Sequence, residues 1–393
     1  MFSYIYRHRA CVVALALMVS AIVMTDALAQ SPMLADNATP AVRAETLFLQ
    51  ATRQSPGLHA SLRMQNALQQ LFAAYEAGDF AQARQLAERL IDAEQANSYD
   101  RAVAHQVAAQ AAWKSNDRPM AQYHLQRVLD IDALSNDDHF PVLLLLAQLQ
   151  VQDGQYEAGL ANLERYAAES GSFTPEEQII KGQALYRMGR AAEASEVIHA
   201  AITAVDEPKT SWQQLLMAAY IDANELEKAL TVAAELARLH PDDKLIHTTA
   251  ASLYAQTGDT AQAAQLLDSL RARGQLTDER DYRQLYTLHA NIQGHEAQVI
   301  EIINEGLENG LLQADYSVWL ALAQSYYYSG QIPQAIDAWQ QAAPLADNGE
   351  TWLNLARILH AEKRIDEAKQ AARHALSKGI ANADDAQRII NLR

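Results

Sequence analysis

Cysteine is almost absent from this sequence. Its 393 residues hold one, Cys11, inside an N-terminal stretch with the marks of an export signal. A chain that loses that stretch has no disulfide and no thiol chemistry, so packing alone must hold it together. Glycine (15) and proline (10) are also few, and no strand-like alternation of polar and apolar residues stands out. Positive charge is short as well: 31 lysines and arginines stand against 48 aspartates and glutamates, a net charge of −17. Such a surface repels nucleic acid and anionic lipid. Its plain role is solubility in a crowded compartment; an acidic docking site is the rival reading.

Catalytic patterns are missing too. His295-Glu296-Ala297-Gln298-Val299 begins like a zinc-protease helix, but Val299 stands where the second histidine is needed. There is no Gly-x-Ser-x-Gly elbow and no phosphate-cradling glycine loop. The acidic pairs Asp137-Asp138, Asp242-Asp243 and Asp384-Asp385 lack the alternating ligands and glycine of a calcium loop. No spacing singles out two carboxylates for acid–base work. Isolated histidines such as His289 and His360 read as surface or core residues. No catalytic residue, metal or cofactor is expected.

What the sequence does have is aliphatic and alanine-rich, with 49% hydrophobic residues, enough for a core. The stretch Val318 to Ala343 organises it. Trp319, Leu322, Ala323 and Tyr326 fall at i, i+3, i+4 and i+7, on one stripe of a helix. Ser329-Gly330-Gln331 breaks the pattern, Gly330 suiting a helix end and Pro333 the next helix start. Ala335, Ala338, Trp339 and Ala342 make a second stripe. So short a break sets the two helices antiparallel, and Ala323 and Ala335 let them approach closely. The unit recurs, each turn residue being followed five positions later by a small or apolar one. The pairs are Gly78/Ala83, Asn116/Ala121, Gly154/Gly159, Gly189/Ala194, Asn224/Ala229, Gly258/Ala263, Gly294/Val299, Gly330/Ala335 and Lys363/Ala368. The steps are 38, 38, 35, 35, 34, 36, 36 and 33 residues. A hairpin that cannot bury its own apolar face must stack on a copy of itself. The copy at Gly294 is degenerate, its register uncertain by about one residue, and Lys363, lacking glycine's freedom, predicts a looser turn.

The pattern W-x2-L-A-x2-Y, then glycine, then alanine five residues on resembles a tetratricopeptide repeat. That resemblance implies an all-α, right-handed α-solenoid of about nine helical hairpins over residues 61–380, with a closing helix in 381–393. Residues 1–29 read as a signal peptide: Arg7 and Arg9 lead an apolar run from Ala10 to Met24, then Ala27-Leu28-Ala29 offers the cleavage pattern. The run is short for a membrane span, so no span remains after cleavage behind Ala29. A retained anchor is the rival reading. Without Arg7, Arg9 and Asp26 the chain keeps 29 basic and 47 acidic residues, a net charge of −18. Residues 30–60, with Pro32, Pro40 and Pro56, read as a flexible segment with a short helix over 44–53. Residues 130–140, DIDALSNDDHF, read as a long acidic loop, and Thr174-Pro175-Glu176-Glu177 as a capped helix start.

Three stretches carry a narrower resemblance: EGLENG (305–310), PLADNGETW (344–352) and HALSKGI (374–380). Their order is similar to a family of proteobacterial periplasmic tetratricopeptide-repeat proteins whose genes accompany TonB, ExbB and ExbD. The likeness covers about residues 60–380 and is clearest over 265–380. It implies a non-enzymatic periplasmic accessory to energy-coupled outer-membrane uptake, with TonB or ExbB–ExbD as partner. A generic exported adaptor in envelope assembly or polysaccharide export is the alternative. Family members usually continue into a further hairpin, whose contacts are not carried over.

In this architecture the first helix of each hairpin lines the concave surface. Counted from the turns, Leu320, Gln324, Tyr327 and Tyr328 face it in one repeat, and Leu353, Arg357 and His360 in the next. The two tyrosines suit peptide contact and Arg357 suits a carboxylate. Tyr326 is read as filling the seam between repeats; for Tyr327 and Tyr328 both placements stay open. Leu320 and Leu353 stand where some tetratricopeptide domains carry carboxylate-clamping lysines, which disfavours a chaperone-tail receptor. The candidate partner-binding set is Gln324, Tyr327, Tyr328 and Arg357.

Overall fold

The computed structural model describes residues 47–392. The expected signal peptide, residues 1–29, and residues 30–46 of the segment expected to be flexible lie outside them. Among the described residues there are nineteen helices and no strand, as expected for an all-α solenoid of hairpins. The described residues divide into two compact units, one ending at Glu225 and the other beginning at Leu226.

The N-terminal unit holds α1 (Gln65–Glu76), α2 (Phe80–Ile91), α3 (Ser98–Lys114), α4 (Arg118–Ile131), α5 (Asn136–Gln152), α6 (Tyr156–Ser170), α7 (Pro175–Arg187), α8 (Ala191–Thr203) and α9 (Thr210–Asp222). Consecutive helices pack on one another, and the first helices of neighbouring hairpins also touch, α1 on α3, α5 on α7 and α7 on α9. The C-terminal unit holds α10 (Leu226–Leu239), α11 (Lys244–Gln256), α12 (Thr260–Ala272), α13 (Glu279–Ala290), α14 (Glu296–Glu308), α15 (Tyr316–Tyr328), α16 (Ile332–Leu345), α17 (Glu350–Ala361), α18 (Ile365–Lys378) and α19 (Ala383–Ile390). The closing helix α19 packs on α17 and α18.

All nine turn positions named from the sequence are left-handed, with φ between 59° and 95°. At eight of them the next residue donates its N–H to the carbonyl five residues back, at 2.8–3.0 Å, so orphan carbonyls at the helix end are satisfied. The exception is the degenerate copy, where α13 stops at Ala290 and His295 N donates to Ile292 O at 3.3 Å. The partner residues five positions on are all buried, from Ala83 to Ala368. Gly159 shows why they are small: a Cβ there would lie 2.6 Å from Val151 Cγ2 and 3.0 Å from Ala147 O, both on α5.

The turn at Lys363 is not looser. Lys363 sits at φ 61°, and Arg364 N donates to Leu359 O at 2.9 Å, as Gln331 N does to Tyr326 O at 2.8 Å. Helix packing on both sides imposes the turn, and a residue with a Cβ bears the steric cost. Lys363→Gly is therefore expected to stabilise the C-terminal unit by about 0.5–1 kcal/mol. Urea denaturation followed by circular dichroism measures this; a lower midpoint would refute it.

The acidic stretch 130–140 is not a long loop. Asp132, left-handed at φ 51°, ends α4, and α5 begins at Asn136. Asp137 and Asp138 lie in its first turn, where carboxylates favour the positive helix end. The expected cap is present: Thr174 and Glu177 form a capping box with Pro175 at the first position.

Residues 47–60 differ from expectation. No helix forms over 47–53, and the chain is docked. Phe48 packs 4.9 Å from the Phe140 ring of α5 and 6.4 Å from Tyr166 of α6. Thr52 N donates to Glu169 O at 2.9 Å. The Arg53 side chain, 7% exposed, donates to Asp132 Oδ1 at 2.7 Å, Asn136 Oδ1 at 2.6 Å and Leu134 O at 3.0 Å. Further on, Asn97 Nδ2 donates to His59 O at 2.9 Å. A segment with few apolar residues is fixed because the ends of α4 and α6 and the start of α5 offer it acceptors and one aromatic socket.

The three stretches that carried the narrower resemblance make structural contacts. Gly306 lets Leu312 pack against its Cα; a Cβ would lie 2.7 Å from Leu312 Cδ1. PLADNGETW and HALSKGI bind one another. Lys378 Nζ donates to Pro344 O at 2.8 Å and Ala346 O at 2.7 Å, covering the carbonyls at the end of α16. Gly349 N donates to Gly379 O at 2.8 Å, and a Cβ on Gly349 would lie 2.1 Å from Ala375 O.

Candidate binding site

The expected site residues lie on α15 and α17, in the C-terminal unit. In α15 the buried stripe is turned by about one residue from the sequence reading. Val318, Leu322 and Ala323 are buried, whereas Trp319 is half-buried. Trp319 packs partly buried against the core, and Trp339 of α16, 6% exposed, is the more deeply buried of the two. Tyr326 is half-buried and accepts from Asn304 Nδ2 of α14 at 3.4 Å, so it does fill the seam between hairpins.

Gln324, Tyr327 and Tyr328 fall at i, i+3 and i+4 on one stripe of α15, Gln324 half-buried and the two tyrosines exposed. Tyr328 is 73% exposed and Tyr327 44%. The Tyr327 ring packs 5.6 Å from Trp339 and edge-on to Tyr328 at 5.4 Å. One side of the Tyr327 ring thus rests on its own hairpin, while the residue stays exposed. The α16 indole holds the pair in place.

On α17 the expectation needs correction. Leu353 is 1% exposed and belongs to the core, not to an open face. Arg357 is exposed but engaged: Nε donates to Asp385 Oδ2 at 2.6 Å and Nη1 to Asn354 Oδ1 at 3.0 Å. Asp385, on α19, also accepts from Arg388 at 2.9 Å, and the Arg357 guanidinium beside it holds its carboxyl below the usual range. The closing helix therefore occupies the place where a partner carboxylate was expected. His360 is exposed. Gln324 and Arg357 sit the same six residues before their turn residues, Gly330 and Lys363, and so hold equivalent positions in successive hairpins.

The N-terminal unit holds a cleft of about 380 Å³ between α4, α5 and the start of α6. Pro119, Gln122, Tyr123, Gln126, Leu146, Gln150, Asp153 and Gln155 line it. Periodicity could not show it, because its polar residues come from three helices.

Histidines pair in both units. His105 Nδ1 and His124 Nδ1 are 2.8 Å apart, one donating and one accepting. Burial pushes His105 down to about 4 and lowers His124, so neutral rings suit this bond. His289, expected to stand alone, bonds His295 Nδ1 at 2.8 Å and Asp268 at 3.1 Å. Such pairs are invisible to spacing rules. Among the described residues no group of three or more His, Cys, Asp or Glu side chains could hold a metal ion. No helix among them is long and apolar enough to cross a membrane.

Residues 57–225 match the family described as tetratricopeptide repeat-like domain, and residues 246–269 and 320–386 match families described as tetratricopeptide repeat. No curated protein matches the chain in sequence. Solved structures do. One is a chain of Naa15/Naa10 bound to HypK-THB, at 12% identity and TM-score 0.42, covering 84% of this chain and 65% of that one. A tetratricopeptide repeat protein from Parabacteroides merdae shows 16% identity and TM-score 0.29, covering 75% and 97%. The C-terminal part of a TPR repeat-containing protein from Cytophaga hutchinsonii shows 14% identity and TM-score 0.40, covering 70% and 94%. The family matches fall on both units and take in eight of the nine left-handed turns, all but Gly294, and the chain is a tetratricopeptide-repeat protein.

Proposed function

We propose that this protein is an exported, non-enzymatic scaffold of the periplasm that serves TonB-dependent uptake by holding a segment of TonB or of the ExbB–ExbD complex. The observation that carries the reading is the Gln324–Tyr327–Tyr328 stripe. It places two outward tyrosines, one braced by Trp339, in the repeats where the resemblance to the TonB-associated family is clearest. Stacked hairpins offer area for a partner rather than reacting groups. A disordered partner segment laid there gains apolar contact on the tyrosines against the entropy of ordering it, so moderate affinity is expected. The acidic chain favours a basic segment, and binding should weaken as salt rises. Arg357 contributes only if the partner displaces Asp385, so it ranks below the tyrosines.

The test is a strain lacking the gene. Uptake of TonB-dependent iron complexes should fall and return with the wild-type gene but not with Tyr327→Ala, Tyr328→Ala. The complementing protein should be found in the periplasm beginning at Gln30. Normal uptake in the deletion strain would remove the TonB reading and leave the generic exported adaptor. A full-length, membrane-bound product would remove cleavage.

A further inference from the structure

Residues 47–55 form a docked strap, and a buried titratable group stands beside its anchor. Gly171, at the end of α6, makes room for the strap: a Cβ there would lie 2.6 Å from Gln50 O. Besides the Phe48 ring and the Thr52 bond, the strap is held at one connector, residues 132–136 between α4 and α5. Asp132 Oδ1 accepts from both Nε and Nη2 of Arg53, at 3.0 and 2.7 Å. Asn136 N donates to Ser55 Oγ at 2.9 Å, and its Nδ2 donates to Arg53 O at 3.0 Å.

His139 lies in the first turn of α5, its N–H bonded to Ser135 O at 2.7 Å. Its side chain is fully buried, and among the described residues neither ring nitrogen has a hydrogen-bond partner. Asp132 Oδ1, the oxygen that Arg53 holds, is 3.5 Å from Nδ1. The ring also stands edge-on to Phe140, 5.5 Å away, whose own ring seats Phe48. The imidazole thus adjoins both fixings of the strap, the arginine anchor and the aromatic socket. The charged groups around it are Arg53 of the strap, Asp132 at the end of α4 and Arg165 on α6. Burial, then the Arg53 guanidinium, pushes it down to about 4 from 6.5, and Asp132 opposes this by less. The neutral ring suits the docked strap. A proton from solvent makes both nitrogens donors and adds a third positive charge beside two guanidiniums, at the positive end of α5. Asp132 Oδ1 is the acceptor at hand, so the imidazolium competes with Arg53 for it. Departure of the strap removes the Arg53 charge. Because the docked value is the lowered one, docking is at full strength above about 6.5 and weakens as pH falls towards about 4.

We propose that residues 47–55 are an acid-released strap with His139 as its proton sensor. On mild acidification the protonated ring draws Asp132 away from Arg53, and the strap leaves the Phe140–Tyr166 socket. The proposal rests on neither the TonB reading nor the α15 residues.

The test uses the chain from Gln30 onward, which holds no cysteine, with Leu49→Cys carrying a nitroxide spin label. Leu49 is 80% exposed and adjoins the docked Phe48, so the label reports on the strap without filling its socket. A full return of His139 to its ordinary value would loosen the strap roughly thirtyfold at pH 5. Part of the burial stays, so the ratio of mobile to immobile label should rise about tenfold between pH 7.5 and pH 5. Far-ultraviolet circular dichroism should not change. His139→Gln, neutral at both pH values, should hold the rise below twofold. His139→Phe, which keeps a ring in place, should do the same and serves if the glutamine variant does not fold. Arg53→Gln should give a mobile label already at pH 7.5. An acid response arising in a carboxylate or in the His105–His124 pair would persist in the His139 variants. Equal release in the wild type and a folded His139 variant would therefore overturn the proposal. So would a wild-type label equally immobile at both pH values, an immobile label in Arg53→Gln, or release accompanied by loss of helix.

Discussion

Phe140→Ala is expected to lower the stability of the N-terminal unit by about 3–5 kcal/mol, a large share of what a domain of this size has. Phe140 is fully buried on α5, with its ring 4.9 Å from Phe48, 6.0 Å from Tyr166 and 5.5 Å from His139. Truncation leaves a cavity among rigid rings that cannot close over it, and dispersion contacts are lost on every side. It also frees Phe48, so residues 47–56 should become sensitive to protease. Phe48→Ala, at a half-buried position, should cost less and produce the same protease sensitivity. Urea denaturation with limited proteolysis checks both; an unchanged midpoint in Phe140→Ala would show that the docked segment and α5 do not share one core.

Trp339→Ala is expected to cost the C-terminal unit about 3–5 kcal/mol. The residue is 6% exposed, and its indole Nε1 finds no acceptor among the described residues, so it contributes through packing alone. Trp319→Ala should cost less because that ring is half-buried. Trp339→Ala should also weaken partner binding on α15, since Tyr327 rests on the indole. Equal destabilisation by the two tryptophan variants would restore the register in which Trp319 is buried as fully as Trp339.

The spacing of Gly78, Asn116 and their seven successors was enough to place every hairpin turn, because a left-handed residue and a buried small residue five positions on are local demands. What escaped the sequence is contact between distant segments. Arg53 reads as one more charge in a polar stretch until Asp132 and Asn136 are beside it, some eighty residues away. Arg357 looks available until α19 brings Asp385 to it. The linker PLADNGETW and the end HALSKGI were visible as motifs, but not that Lys378 and Gly379 of one bind Pro344, Ala346 and Gly349 of the other. Of the candidate residues, the shared stripe of Gln324, Tyr327 and Tyr328 on α15 was legible from helical period. Leu353 was misplaced because a count from the turn gives an angle around the helix, not what lies over it.

The central claim is that the α15 face holds a segment of the TonB machinery. Its most direct test is a calorimetric titration of the mature protein with purified periplasmic domains of TonB and ExbD, in low and high salt. The wild type should bind one of them moderately and more weakly as salt rises. A folded Tyr327→Ala, Tyr328→Ala, Arg357→Ala variant should lose at least tenfold in affinity. Equal binding by the two proteins would move the site off this face, and no binding by the wild type to either domain would contradict the claim.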